Sequence, residues 1–152
     1  MYAFVVLAQT LLLPVGCTAI EWLGGNGDLL PIFGKWLLFW GIGTRLLLAG
    51  FTQVLDPART LQLLRVHEST ADVLVRELGF ANLGIGLVAA VSAFVPGWIV
   101  PGAGAGVVFL AAAGIGHLGR AERSGRETLA MWTDLWVAAA MLVVIVAELF
   151  AR

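Results

Sequence analysis

The sequence predicts an all-α integral membrane helical bundle of five transmembrane helices, with the N-terminus inside and the C-terminus outside. Three observations lead there. Of 152 residues, 60% are hydrophobic and only 12% charged, and the mean hydropathy is +0.94, beyond the range of ordinary soluble domains. Five apolar runs each approach the roughly 20 residues that carry a helix across about 30 Å of hydrocarbon. The charges fall in short patches between those runs, with arginine concentrated on one side.

The first span is expected over 2–23, entering a glycine and proline loop, "GGNGDLLP" (24–31). The stretch "LLLPVGC" is not read as a lipoprotein signal ending at Cys17: "MYAFVVLAQT" lacks a basic region, and Pro14 stands where an aliphatic residue belongs. The second span is expected over 36–55. It is followed by "DPARTLQLLRVHEST" (56–70), whose Leu61, Leu64 and Val66 among charges suggest a segment lying along the inner membrane surface. Spans over 73–95 and 98–118 are joined by "VPGW", which permits only a tight antiparallel turn. The fifth span, 128–150, is preceded by Ser124 and Glu127 at capping-box spacing; Ser69 and Asp72 form a weaker version before the third. No soluble domain remains, so residues 1–152 form a single transmembrane domain.

Orientation follows from the flanking cations. Arg59, Arg65, Arg76, Arg120, Arg123 and Arg126 share the side of the N-terminus, against Lys35 and Arg152 opposite. Trp22, Trp36 and Trp98 then mark the outer interface and Trp132 the inner one. The net charge of -1 gives no indication of a nucleic-acid partner, and the lone Cys17 excludes an internal disulfide or a cysteine metal cluster within one chain.

The informative residues are the polar ones at membrane depth, because exposing such groups to lipid costs several kcal/mol. Glu21 and Glu148 belong to the outer end, with Gln9 in the first span. Following the direction of each helix, Gln53, Glu77, Asn82, His117 and Asp134 fall in the cytoplasmic half, with Arg45 within reach from the midplane. One reading is an interhelical network in which Arg45 pairs with Asp134 or Glu77. Another is a pocket open to the cytoplasm, binding a small ligand through the carboxylates and His117. A metal site of Glu77, His117 and Asp134 has suitable donors, but there is one histidine within the spans and no Glu-x-x-His pair. His117 also stands in the last turn of its helix, where it could cap free carbonyls. "PGAGAG" (101–106) follows no strand and lies inside a span, so it is packing rather than a phosphate loop; Gly79, Gly84, Gly86, Gly102 and Gly106 share that reading. No Ser-His-Asp, Walker or haem-binding pattern is present.

The segments "KWLLFWGIGTRLLLAGFTQVLDP" (35–57), "VRELGFANLGIGL" (75–87), "AGIGHLGR" (113–120) and "ETLAMWTDLW" (127–136) resemble a bacterial family of small integral membrane proteins catalogued as a domain of unknown function. The resemblance singles out Arg45, Gln53, Glu77, Asn82, His117, Glu127 and Asp134. More loosely, the same helices are similar to the DoxX-like four-helix membrane proteins, some of which are associated with quinone-linked oxidoreduction. This chain has no cysteine pair or cofactor motif, and no cofactor is assigned to it.

Three functional expectations follow. The leading one is a non-enzymatic protein of the bacterial inner membrane that binds or moves a lipid, a quinone or another small hydrophobic or amphipathic molecule through the inner-half pocket. Movement across only five helices calls for a homodimer. The second is a membrane-embedded enzyme using Glu77, Asp134 and His117 as acids and bases. The third is a structural or accessory subunit of a membrane complex.

Overall fold

The computed structural model describes residues 1–64, 70–119 and 122–150, and among these every regular element is helical. In chain order they are α1 (Tyr2–Leu23), α2 (Leu29–Leu55), the short α3 (Pro57–Leu64), α4 (Ala71–Ser92), α5 (Ile99–Leu118) and α6 (Gly125–Phe150). All but α3 are long and apolar enough to cross a membrane. The Arg65, Ser69, Arg120 and Arg152 assignments lie outside the described residues.

Helix boundaries follow local chemistry. α2 begins seven residues before the expected position. Asp28 is extended (φ -78°, ψ 144°) and Pro31 falls in the first turn, where its missing N–H is not required. The preceding loop contracts accordingly, turning on Gly25 (φ 75°) and Gly27 (φ 128°); Gly97 (φ 77°) does the same in the α4–α5 turn. At the α2–α3 junction the Arg59 N–H donates to Asp56 Oδ1 at 3.3 Å, with Pro57 in the first helical position, so Asp56 caps α3. The capping box before α6 is complete: the Ser124 N–H donates to Glu127 Oε2 (2.9 Å) and the Glu127 N–H to Ser124 Oγ (3.2 Å).

Two helices widen into π turns, α1 at Ala8–Leu12 and α2 at Leu38–Thr44. In α1 the cause is Pro14, which has no N–H for the Thr10 carbonyl and whose ring crowds it. The stranded Thr10 oxygen accepts instead from Trp136 Nε1 of α6, at 3.2 Å. The two widened segments meet, and Gln9 Nε2 donates to Thr44 Oγ1 across them at 3.1 Å.

The core runs through α2, with Leu37, Leu38, Ile42 and Leu46 packed among Ala89, Ala103, Leu110, Val137, Met141 and Val144. Between α2 and α4 the backbones nearly touch. A Cβ on Gly50 would meet the Gly79 carbonyl oxygen at 2.7 Å, and one on Gly86 the Gly43 carbonyl at 2.8 Å. Such approach matters in hydrocarbon, where helices associate by close packing and polar contacts rather than by escaping water. Gly102 and Gly106 likewise face Ser92 and Ile42. Gly84 does not fit the expected packing role, since a Cβ there would meet nothing within 4 Å.

The bundle has two chemically distinct ends. One carries Tyr2, Thr60, His117, Ser124 and Arg126 around a common cleft. At the other, Lys35 pairs with Glu21, the Trp36 indole donates to Glu21 Oε2 at 2.8 Å, and Trp36 meets Phe94 edge to face at 5.8 Å. Glu21 therefore has defined partners, at the end of the bundle opposite the cleft.

Candidate functional site: an ion pair beneath a cleft

The polar residues at membrane depth divide into separate groups. Arg45 stands immediately after the π segment of α2 and reaches across to α6. Its Nη2 lies 2.6 Å from Asp134 Oδ1 and donates to Thr133 Oγ1 at 3.1 Å. The Thr133 hydroxyl in turn donates back to the carbonyls of Leu129 and Ala130. Both charged side chains are almost wholly buried, at 11% and 8% exposure. Asp134 lies one turn beyond Ala130 on α6, deeper in the bundle than the cleft wall. In a low-dielectric interior such a pair is held by its geometry and further hydrogen bonds. Arg45 Nη1, however, is buried without a hydrogen-bond partner.

Gln53 and Asn82 form the second group. Asn82 Nδ2 donates to Gln53 Oε1 at 2.7 Å between α2 and α4, while Asn82 Oδ1 is buried and unpartnered. No hydrogen bond joins this couple to Arg45 or Asp134 among the described residues. The expected single layer of converging side chains is thus replaced by two direct pairs.

Glu77 joins neither group. It is exposed on α4, whereas Asn82 is buried. Five residues of α-helix rotate a side chain by about 500°, which places the two roughly 140° apart around the axis. The pairing of Arg45 with Glu77 is excluded by the Asp134 contact. The Glu77, His117 and Asp134 metal arrangement is not assembled either, because no set of three His, Cys, Asp or Glu side chains able to hold an ion occurs among the described residues.

His117 takes a third position. It does not cap its helix: the carbonyls of His117 and Leu118 accept from Arg123 Nη1 at 2.9 and 3.0 Å. Its ring is half-buried, within electrostatic reach of Asp134, and its Nδ1 is buried with no hydrogen-bond partner. It lines a half-open cleft of about 150 Å³ together with Tyr2, Thr60, Ser124, Arg126, Glu127 and Ala130. Arg126 lies over the Tyr2 ring, 6.0 Å from its centroid. Ala130 of the cleft wall is one helical turn before Asp134, so the ion pair lies about one turn behind the cleft.

The cleft has walls from four segments: the start of α1, the middle of α3, the last turn of α5 and the first turns of α6. Their sequence distance explains why Tyr2, Thr60 and Arg126 were not singled out as site residues. Tyr2 is nevertheless the only tyrosine in the chain, and the Thr133–Asp134 dipeptide was a visible sign that a hydroxyl accompanies the buried acid. Fold and site together define a multi-pass helical protein with a cleft rimmed by polar side chains at one end. Comparison with known proteins adds no template, since no family model, no curated protein and no solved structure matches the chain.

Proposed function

We propose that the protein is a non-enzymatic membrane binding protein that takes the polar head of an amphipathic molecule into the cleft formed by Tyr2, Thr60, His117, Ser124, Arg126, Glu127 and Ala130. The observation that carries this reading is an open, largely apolar cleft walled by four separate segments and rimmed by the polar side chains of Tyr2, Thr60, His117, Ser124, Arg126 and Glu127. The volume limits what enters: about 150 Å³ accommodates roughly one benzene-sized ring, well below a drug-sized site. A head group fits, with the rest of the molecule left in the bilayer.

The deep polar groups have a different role in this reading. Arg45, Asp134 and Thr133 close on one another, as do Gln53 and Asn82, and they fasten helices instead of lining a path through them. A membrane-embedded enzyme built on Glu77, Asp134 and His117 draws no support from this arrangement, since Glu77 is exposed and Asp134 is engaged. We place the cleft on the cytoplasmic side of a bacterial inner membrane, because Arg59, Arg76, Arg123 and Arg126 gather at its end against Lys35 at the other. Membership of the small-membrane-protein family fits the same residues, with Arg45 and Asp134 as its structural pair.

The test is direct. Protein purified in mild detergent is expected to retain a lipid or quinone identifiable by mass spectrometry, and a bulky His117→Trp or Thr60→Trp substitution to release it without loss of the folded bundle. Retention of nothing above the level of an unrelated five-helix protein would sink the reading.

A further inference from the structure

Resting on that binding role, we infer that the head group held in the cleft is an oxyanion, the carboxylate or phosphate of an acidic membrane amphiphile. The argument is a census of what the cleft offers. Tyr2, Thr60 and Ser124 contribute hydroxyls, Arg126 a guanidinium and His117 an imidazole, drawn from α1, α3, α5 and the start of α6. The one acid in the lining, Glu127, already accepts the Ser124 N–H. Asp134 behind the floor is compensated by Arg45. Apart from Glu127, every polar side chain of the lining is able to donate a hydrogen bond, and Arg126 supplies its permanent positive charge.

The helix terminus is not the recognition element. The Glu127 N–H of α6 is occupied by Ser124 Oγ, so recognition of charge falls to Arg126, with His117 a neighbouring hydrogen-bonding group. Arg126 is exposed and held over the Tyr2 ring, a placement that keeps its remaining face available for a planar or tetrahedral oxyanion. The small volume disfavours a bulky zwitterionic head. A neutral quinone ring fits by size but makes no use of the Arg126 charge.

The experiment is displacement of a bound fluorescent fatty acid from the purified full-length protein by an unlabelled long-chain fatty acid, by the alcohol of equal chain length and by a short-chain quinone. The acid is expected to displace the probe at a concentration about tenfold lower than the alcohol, the factor a charge-assisted hydrogen bond supplies. Arg126→Gln should erase that preference and Arg126→Lys should keep part of it, both with unchanged thermal unfolding because the side chain is exposed. Equal displacement by acid and alcohol would overturn the oxyanion assignment while leaving the cleft a binding site. A quinone more potent than the acid would overturn it in favour of a neutral ring. Absence of any probe binding would overturn both this inference and the proposed function.

Discussion

At the scale of single residues the decisive contact is Arg45 to Asp134. Removing one partner strands the other charge among buried side chains, and broken buried pairs cost about 3–5 kcal/mol. Asp134→Ala is therefore expected to lower stability by that order in detergent unfolding titrations, and Arg45→Ala similarly. The double variant Arg45→Met with Asp134→Leu should recover most of the loss, since no orphaned charge is left. If the double variant were as unstable as the singles, the pair would be doing more than neutralising itself. The Gln53–Asn82 couple is a milder case. Asn82→Leu should cost about 1 kcal/mol, in line with interhelical hydrogen bonds in membranes, because Asn82 already leaves Oδ1 unpaired.

At the scale of elements the α2–α4 interface separates glycines that matter from glycines that do not. Gly50→Ala places a methyl group 2.7 Å from the Gly79 carbonyl oxygen, and no side chain can yield there because the obstacle is backbone. A loss of about 1–3 kcal/mol is expected, read as a lowered unfolding midpoint. Gly84→Ala, on the facing helix α4, meets nothing within 4 Å. It should be neutral or stabilising by up to about 1 kcal/mol, from helix propensity alone. The sequence shows both glycines in identical apolar surroundings, and spacing alone does not separate them. α4 is apolar on nearly all sides, with Leu74, Leu78, Leu87 and Val91 exposed outward and Val75 and Ala89 inward. Its buried face therefore has no contrast in hydropathy to mark it. The same lack of contrast hid the outward position of Glu77. Where local chemistry is self-contained, by contrast, the reading was complete: Ser124 and Glu127 satisfy each other's backbone N–H within one turn, whatever packs around them. Ser124→Ala should accordingly cost about 1 kcal/mol, measurable as early fraying of α6 by hydrogen exchange.

At the scale of the whole molecule, the arginine bias makes a prediction about direction in the membrane. In a Cys17→Ser background, a cysteine introduced at Gly119 should be labelled only from the cytoplasmic side, and one at Gly25 only by an impermeant thiol reagent added outside. Both positions are exposed at opposite ends of the bundle. The reverse labelling pattern would invert the protein and place the cleft outside. By itself the sequence determined the five spans, the tight turn between the third and fourth, and which residues are polar at membrane depth. Each of these depends on quantities that add along the chain: hydropathy over about 20 residues, a turn dipeptide, a cap. Only the tertiary structure decided that Arg45 chooses Asp134, that Gln53 and Asn82 pair apart from them, and that Tyr2, Thr60, His117 and Arg126 meet in one cleft. Those choices depend on the rotation of each helix about its axis, set by glycine contacts and by the widened turns before Pro14 and Arg45, and membrane-crossing hydropathy is blind to that angle.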